Sequence, residues 1–259
     1  GKRRHRLVVA DADGANAAEI ADSSQPIMSP SWSPDGRRLA YVSFEGGRSS
    51  VFVQDIANAT RQKVSDQPGV NGAPAFSPDG RRLALALSDQ DGNLDIHVLT
   101  TATGETRRLT RNPAIDTEPA WSADGETIYF TSDRSGGPQV YQIDAAGGAK
   151  PERVTFEGRY NARPRVSPDG KSLAVVHNDR GAYRIALVDL ERRSTRVLSS
   201  GQQDESPSFA PNGSMIIYAT RSGGRGTLAA VSVDGSVEQR IASPAADVRE
   251  PVWSPFPAD

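Results

Sequence analysis

The sequence predicts an all-β fold: a six-bladed β-propeller built of four-stranded antiparallel blades. Three observations carry that expectation. A turn motif is written six times at nearly constant spacing, each repeat holds a set of short strand-like runs, and the two chain ends read as parts of one blade. The motif runs Trp32-Ser33-Pro34-Asp35-Gly36, Phe76-Ser77-Pro78-Asp79-Gly80, Trp121-Ser122-Ala123-Asp124-Gly125, Val166-Ser167-Pro168-Asp169-Gly170 and Phe209-Ala210-Pro211-Asn212-Gly213, then a shortened Trp253-Ser254-Pro255-Phe256. The leading apolar positions are separated by 44, 45, 45, 43 and 44 residues, a period that signals a repeat architecture.

Each part of the repeat has a physical reason. Proline presets φ near about −65° for the second position of a type I turn, Asp bonds its own backbone, and Gly takes the left-handed conformation leading into the next strand. Behind the turns come Leu39–Val42, Leu83–Leu87, Ile128–Phe130, Leu173–Val176 and Met215–Tyr218. These runs do not alternate cleanly between apolar and polar, which predicts strands covered on both faces. A third strand follows in each repeat, such as Val51–Val53 or Ile96–Leu99, and a more polar fourth, such as Arg61–Val64 or Thr106–Leu109. One such unit cannot bury its faces alone, so the copies are expected to pack radially into a ring.

Arg6–Asp11 resemble a third strand and Ala17–Ala21 a fourth, while Pro251–Ser254 supply a first. Pairing of N- and C-terminal strands is therefore expected to close the ring. No second strand is found for that blade, which predicts a gap in it. Residues 1–259 read as one propeller domain.

Composition narrows the function. A net charge of −2 from 30 basic and 32 acidic residues gives no reason to expect nucleic acid or an anionic membrane as partner. There are no cysteines, so disulfides, thiolate metal sites and Cys nucleophiles are excluded and the compartment stays open. No apolar run approaches the roughly 18 residues of a membrane span. His5, His97 and His177 fall on a terminus, a third strand and a strand end, and are not expected to converge. No Gly-x-Ser-x-Gly is present, and the recurring Trp32, Trp121 and Trp253 read as core anchors.

The segments preceding the first strands differ from one another, and in a propeller they gather at one mouth of the central channel. A repeated scaffold with variable loops is a common way to build a binding surface.

The chain resembles the TolB propeller family of the Tol-Pal envelope system. The likeness lies in Ile27–Gly36 followed by Leu39–Glu45, in Asn71–Gly80, in Thr117-Glu118-Pro119 ahead of Trp121, in Arg134–Tyr141, and in Asp204–Pro207 with Ala210–Gly213. The resemblance implies a periplasmic, monomeric binding protein with no enzymatic chemistry and no required cofactor. It implies as partners a Pal-type outer-membrane lipoprotein and disordered, colicin-like peptides, and it associates calcium with the channel. It also implies an N-terminal α/β domain, which these residues do not include.

By that pattern Ala73 and Thr117 belong to the partner surface, with Asn71 and Glu118 beside them and Val70 where the family often has a His. Met28 is an adaptable apolar contact. Asp116, Asn161, Arg163, Asp204, Glu205, Arg249 and Glu250 complete the expected rim, and Asp116, Glu118, Asp204 and Glu205 are candidates to face a channel ion, since hard cations take six to eight oxygens. The plain alternative is that all of these are solvated turn residues. Two rival functions are a propeller enzyme, such as a metal-dependent polysaccharide lyase, and a gating propeller belonging to a peptidase.

Overall fold

The computed structural model describes residues 4–88, 92–178, 180–241 and 247–256. Five four-stranded antiparallel sheets, spanning residues 27–65, 71–108, 116–153, 160–197 and 205–241, make blades 1 to 5, each with its strands in sequence order. The innermost strands of successive blades are neighbours: Ile27–Trp32, Asn71–Phe76, Asp116–Trp121, Tyr160–Val166 and Glu205–Phe209. The second strands are buried on both sides, as the unbroken apolar runs require; Leu39, Leu83, Ile128, Leu173 and Ile216 are all at most 1% exposed.

The turns form as their chemistry dictates. In blade 2 the Gly80 N–H donates to the Ser77 carbonyl at 2.8 Å, with Gly80 at φ +67°. The Ser77 hydroxyl donates to Asp79 and accepts the Arg82 N–H at 3.0 Å. Blades 1, 3 and 4 repeat these bonds through Ser33, Ser122 and Ser167. The same turns join the blades. Gly80 lies against Pro34 and Gly125 against Pro78, and the guanidiniums of Arg38 and Arg82 stack on Phe76 and Trp121 of the next blade, 5.4 and 4.6 Å from the ring centres.

The expected sixth blade, closed by pairing of the two termini, is not formed. His5–Val9 and Ala18–Ser23 pair only with each other as a two-stranded sheet, and residues 247–256 contain no strand. The reason is spacing. Without a second strand, a first and a third strand stand about 9–10 Å apart, twice the normal distance between paired strands. The terminal segments are held by other means. Trp253 N–H donates to the Ser208 hydroxyl at 3.0 Å, Gly36 packs on Pro255, and the Gln54 amide reaches the Ile20 carbonyl at 2.9 Å.

A ring of left-handed residues at the channel mouth

Each inner strand breaks register in the same place: between Met28 and Ser31, Gly72 and Ala75, Thr117 and Ala120, Ala162 and Arg165, and Glu205 and Ser208. At each break one non-glycine residue has positive φ: Ser29 (54°), Ala73 (48°), Glu118 (54°), Arg163 (55°) and Ser206 (56°). Glu250, at 51°, takes the same conformation in the C-terminal segment. A proline follows every one of the six. Proline disfavours the right-handed helical region for its predecessor and cannot donate to the ladder, so the strand bulges there. Left-handed backbone costs an ordinary side chain about 1–2 kcal/mol, and such cost recurs where a structure uses the strained position.

All six line one cavity of about 400 Å³ at the channel, and five of them are linked in a chain of hydrogen bonds and ion pairs. Arg163 is its hub. Its Nε lies 2.8 Å from Glu118 Oε1, its Nη1 lies 3.7 Å from Glu250 Oε1, and Nη1 also donates to the Ser206 hydroxyl. Glu118 Oε2 accepts from the Thr131 hydroxyl at 2.9 Å and from the Arg163 N–H at 3.1 Å, while Glu250 accepts the Ser29 N–H. Burial disfavours the Arg163 charge, yet Glu118 and Glu250 outweigh it and hold the guanidinium above its usual range. Blade 3 is thereby tied through blade 4 to the C-terminal segment and on to blade 1. Ala73 alone leaves a notch. At the starts of the inner strands of blades 1 to 3, Met28, Val70 and Ile115 are exposed, at 37%, 46% and 50%.

The remaining expected rim residues divide by burial. Asn71, Asp116, Asn161 and Asp204 are at most 1% exposed and bonded within the scaffold. Asn71 joins Ser49, Ser65 and Gln67; Asp116 is held by Arg134 at 2.9 and 2.7 Å; Asn161 joins Gln139, Glu157 and His177; Asp204 accepts from Ser199 and Thr220. They shape the mouth from below its surface. Thr117 and Glu205 are half-buried, and Arg249 is exposed with Asp247 at 3.3 Å.

The expected ion ligands do not assemble. Asp116, Glu118, Asp204 and Glu205 are taken up separately or stand apart, and among the described residues no group of three His, Cys, Asp or Glu side chains is placed to hold a metal. The channel carboxylates Glu118 and Glu250 face Arg163, and a second guanidinium, Arg165, lines the same cavity. That donor set does not suit a hard cation, which takes oxygen ligands. Among the described residues no histidine lines the cavity, and its two carboxylates, Glu118 and Glu250, are the ones engaged by Arg163. The sequence offered one overlooked signal for the mouth, the six prolines in register.

Comparison with known proteins agrees with this geometry. The TolB beta propeller domain family matches residues 1–257. The Tol-Pal system protein TolB of Thioalkalivibrio sulfidiphilus is 63% identical over 257 residues, covering 99% of this chain and 59% of that protein. The protein of the same name from Nitrosococcus oceani is 60% identical over 255 residues, covering 98% and 58%. The chain thus spans less than two thirds of the length of these curated relatives. The crystal structure of TolB from Acinetobacter baumannii superposes with a TM-score of 0.91 at 42% identity, over 96% of this chain and 62% of the other. With five blades of the repeat, a family match over residues 1–257 and relatives at this identity, the chain belongs to the TolB β-propeller family.

Proposed function

We propose that the mouth is a protein-binding surface of the Tol-Pal system, working in the periplasm by equilibrium binding and without enzymatic chemistry. Its partner is a Pal-type lipoprotein, and extended, colicin-like peptides use the same face. One observation carries the reading: a ring of six left-handed positions repeats one backbone conformation but varies its side chains, with Ala73 on one side and the Glu118–Arg163–Glu250 chain on the other. Met28, Val70 and Ile115, exposed at the same end of the inner strands, offer apolar contacts for a partner. Apolar anchors beside fixed polar groups suit a specific interface. A monomer suffices for this, since the whole mouth comes from one chain.

Calorimetric titration with a Pal-type periplasmic domain tests the proposal. Ala73→Phe fills the notch and Ile115→Glu charges one of the apolar contacts, and each is expected to weaken binding about tenfold or more, a loss of about 1.4 kcal/mol. Cooperative urea unfolding of both variants verifies the fold. Unchanged affinity in both variants rejects this surface.

A further inference from the structure

Two residues below the left-handed ring, the inner strands present a second tier: Ser31, Ala75, Ala120, Arg165, Ser208 and Val252. Five of these side chains are small and one is a long cation. Arg165 has five N–H donors, of which Nη1 goes to the carbonyl of its own neighbour Pro164 at 2.9 Å. Among the described residues no carboxylate lies within ion-pair distance of Arg165, the two glutamates above being engaged by Arg163.

The other polar groups of the tier are also donors. Ser31 Oγ already accepts the Phe76 N–H at 3.4 Å and Ser208 Oγ the Trp253 N–H at 3.0 Å, which leaves both hydroxyl protons to give. Trp253, another lining residue, carries the one buried side-chain polar atom without a partner among the described residues, its indole N–H. Buried donors are normally satisfied, and a tier whose side chains include a guanidinium and two hydroxyls but no carboxylate is suited to an acceptor of opposite charge. Burial lowers the proton affinity of the Arg165 guanidinium, and Arg163 adds to that lowering, against the pull of Glu118 and Glu250.

We infer that the middle of the channel is a binding site for a small oxyanion of the carboxylate class, held by Arg165 with Ser31 and Ser208. A planar carboxylate matches the guanidinium fork in two parallel hydrogen bonds and accepts from the hydroxyls with its remaining lone pairs. The cavity of about 400 Å³ accommodates such a group free in solution or borne on a peptide side chain. The site does not depend on which protein docks at the mouth.

The test uses the whole chain and nitrogen-detected resonances of the arginine Nε–H groups, the Arg165 signal being identified by its loss in Arg165→Gln. Sodium acetate is titrated first. The Arg165 resonance is expected to shift saturably in the wild type, and acetate affinity, read for all variants by calorimetry, to fall about 30-fold or more in Arg165→Gln and severalfold in the Ser31→Ala, Ser208→Ala double variant. The double variant keeps the arginine, so the test survives any folding defect of Arg165→Gln. A blocked Gly-Asp-Gly peptide and its Gly-Asn-Gly counterpart form the second arm. Tighter binding of the Asp peptide than of acetate assigns the site to a chain-borne carboxylate; binding of acetate alone assigns it to a free anion. Acetate that leaves the Arg165 resonance unmoved, or that binds Arg165→Gln as it binds the wild type, overturns the proposal.

Discussion

The two ends of the channel are built on the same period and differ in what repeats. At the turn end both sequence and backbone recur: in blades 1 to 4 a serine hydroxyl bonds an aspartate, a glycine takes positive φ in every blade, and the turns of blades 2, 3 and 5 lean on the proline of the preceding blade. At the mouth the backbone recurs just as faithfully, with φ between 48° and 56° at six equivalent positions, while the side chains there are Ser, Ala, Glu, Arg, Ser and Glu. At the turns, the side chain makes the conformation. At the mouth, the conformation is imposed by the following proline and the packed blade, and the side chain is left free to vary. The proposed recognition surface is thus the end that combines fixed geometry with variable chemistry.

Substitutions at the two ends sharpen this contrast. The largest effect is expected for Arg163→Met, which leaves Glu118 and Glu250 without their shared cation. Partly buried carboxylates stripped of a partner cost about 2–3 kcal/mol, read as a lowered urea midpoint. Because Arg163 ties blades 3 and 5 and the C-terminal segment, hydrogen exchange should rise in all of them and not in blade 4 alone. A rise confined to blade 4 would reduce the mouth chain to a local contact.

Next in size is Ser29→Val. A β-branched side chain at φ 54° should cost about 1–2 kcal/mol in chemical denaturation, although no side-chain hydrogen bond of Ser29 is described. Full retention of stability would mean that the left-handed backbone at the mouth is not enforced.

The smallest effect is expected at the turn end. Ser77→Ala removes a hydroxyl that accepts the Arg82 N–H and donates to Asp79, costing about 1 kcal/mol near neutral pH. Its signature lies in acid. The Ser77 hydroxyl, aided by the Arg81 N–H, holds the Asp79 carboxyl below its ordinary 3.8. A lowered folded value makes the contribution complete above that ordinary value and lost as pH falls through the lower one. The variant's stability should therefore fall less steeply than the wild type's below pH 3.8. Parallel acid limbs would show that the hydroxyl does not stabilise the ionised carboxylate.

The same contrast explains what was legible in the sequence. The blades could be read because Ser-Pro-Asp-Gly is a local instruction, complete within five residues. The ring of bulges could not be read from Ser29, Ala73 or Arg163 themselves, since no residue type marks them; their conformation comes from a proline and a neighbouring strand. Asn71, Asp116, Asn161 and Asp204 read as rim residues because polar residues before a strand suit solvent, yet each is buried under the loop that it organises. Closure by terminal strands failed for a related reason. Arg6–Asp11 and Pro251–Ser254 have strand-like patterns, but pairing needs an adjacent partner, and among the described residues no strand lies between them.

The most direct measurement is a backbone amide shift map recorded as a Pal-type domain is titrated into the labelled protein. The account predicts that the perturbed resonances cluster at Met28, Ser29, Val70, Ala73, Ile115, Thr117, Glu118 and Arg163, with the turns at Asp35, Asp79, Asp124 and Asp169 unmoved. Perturbations centred on those turns, with the left-handed ring silent, would contradict it.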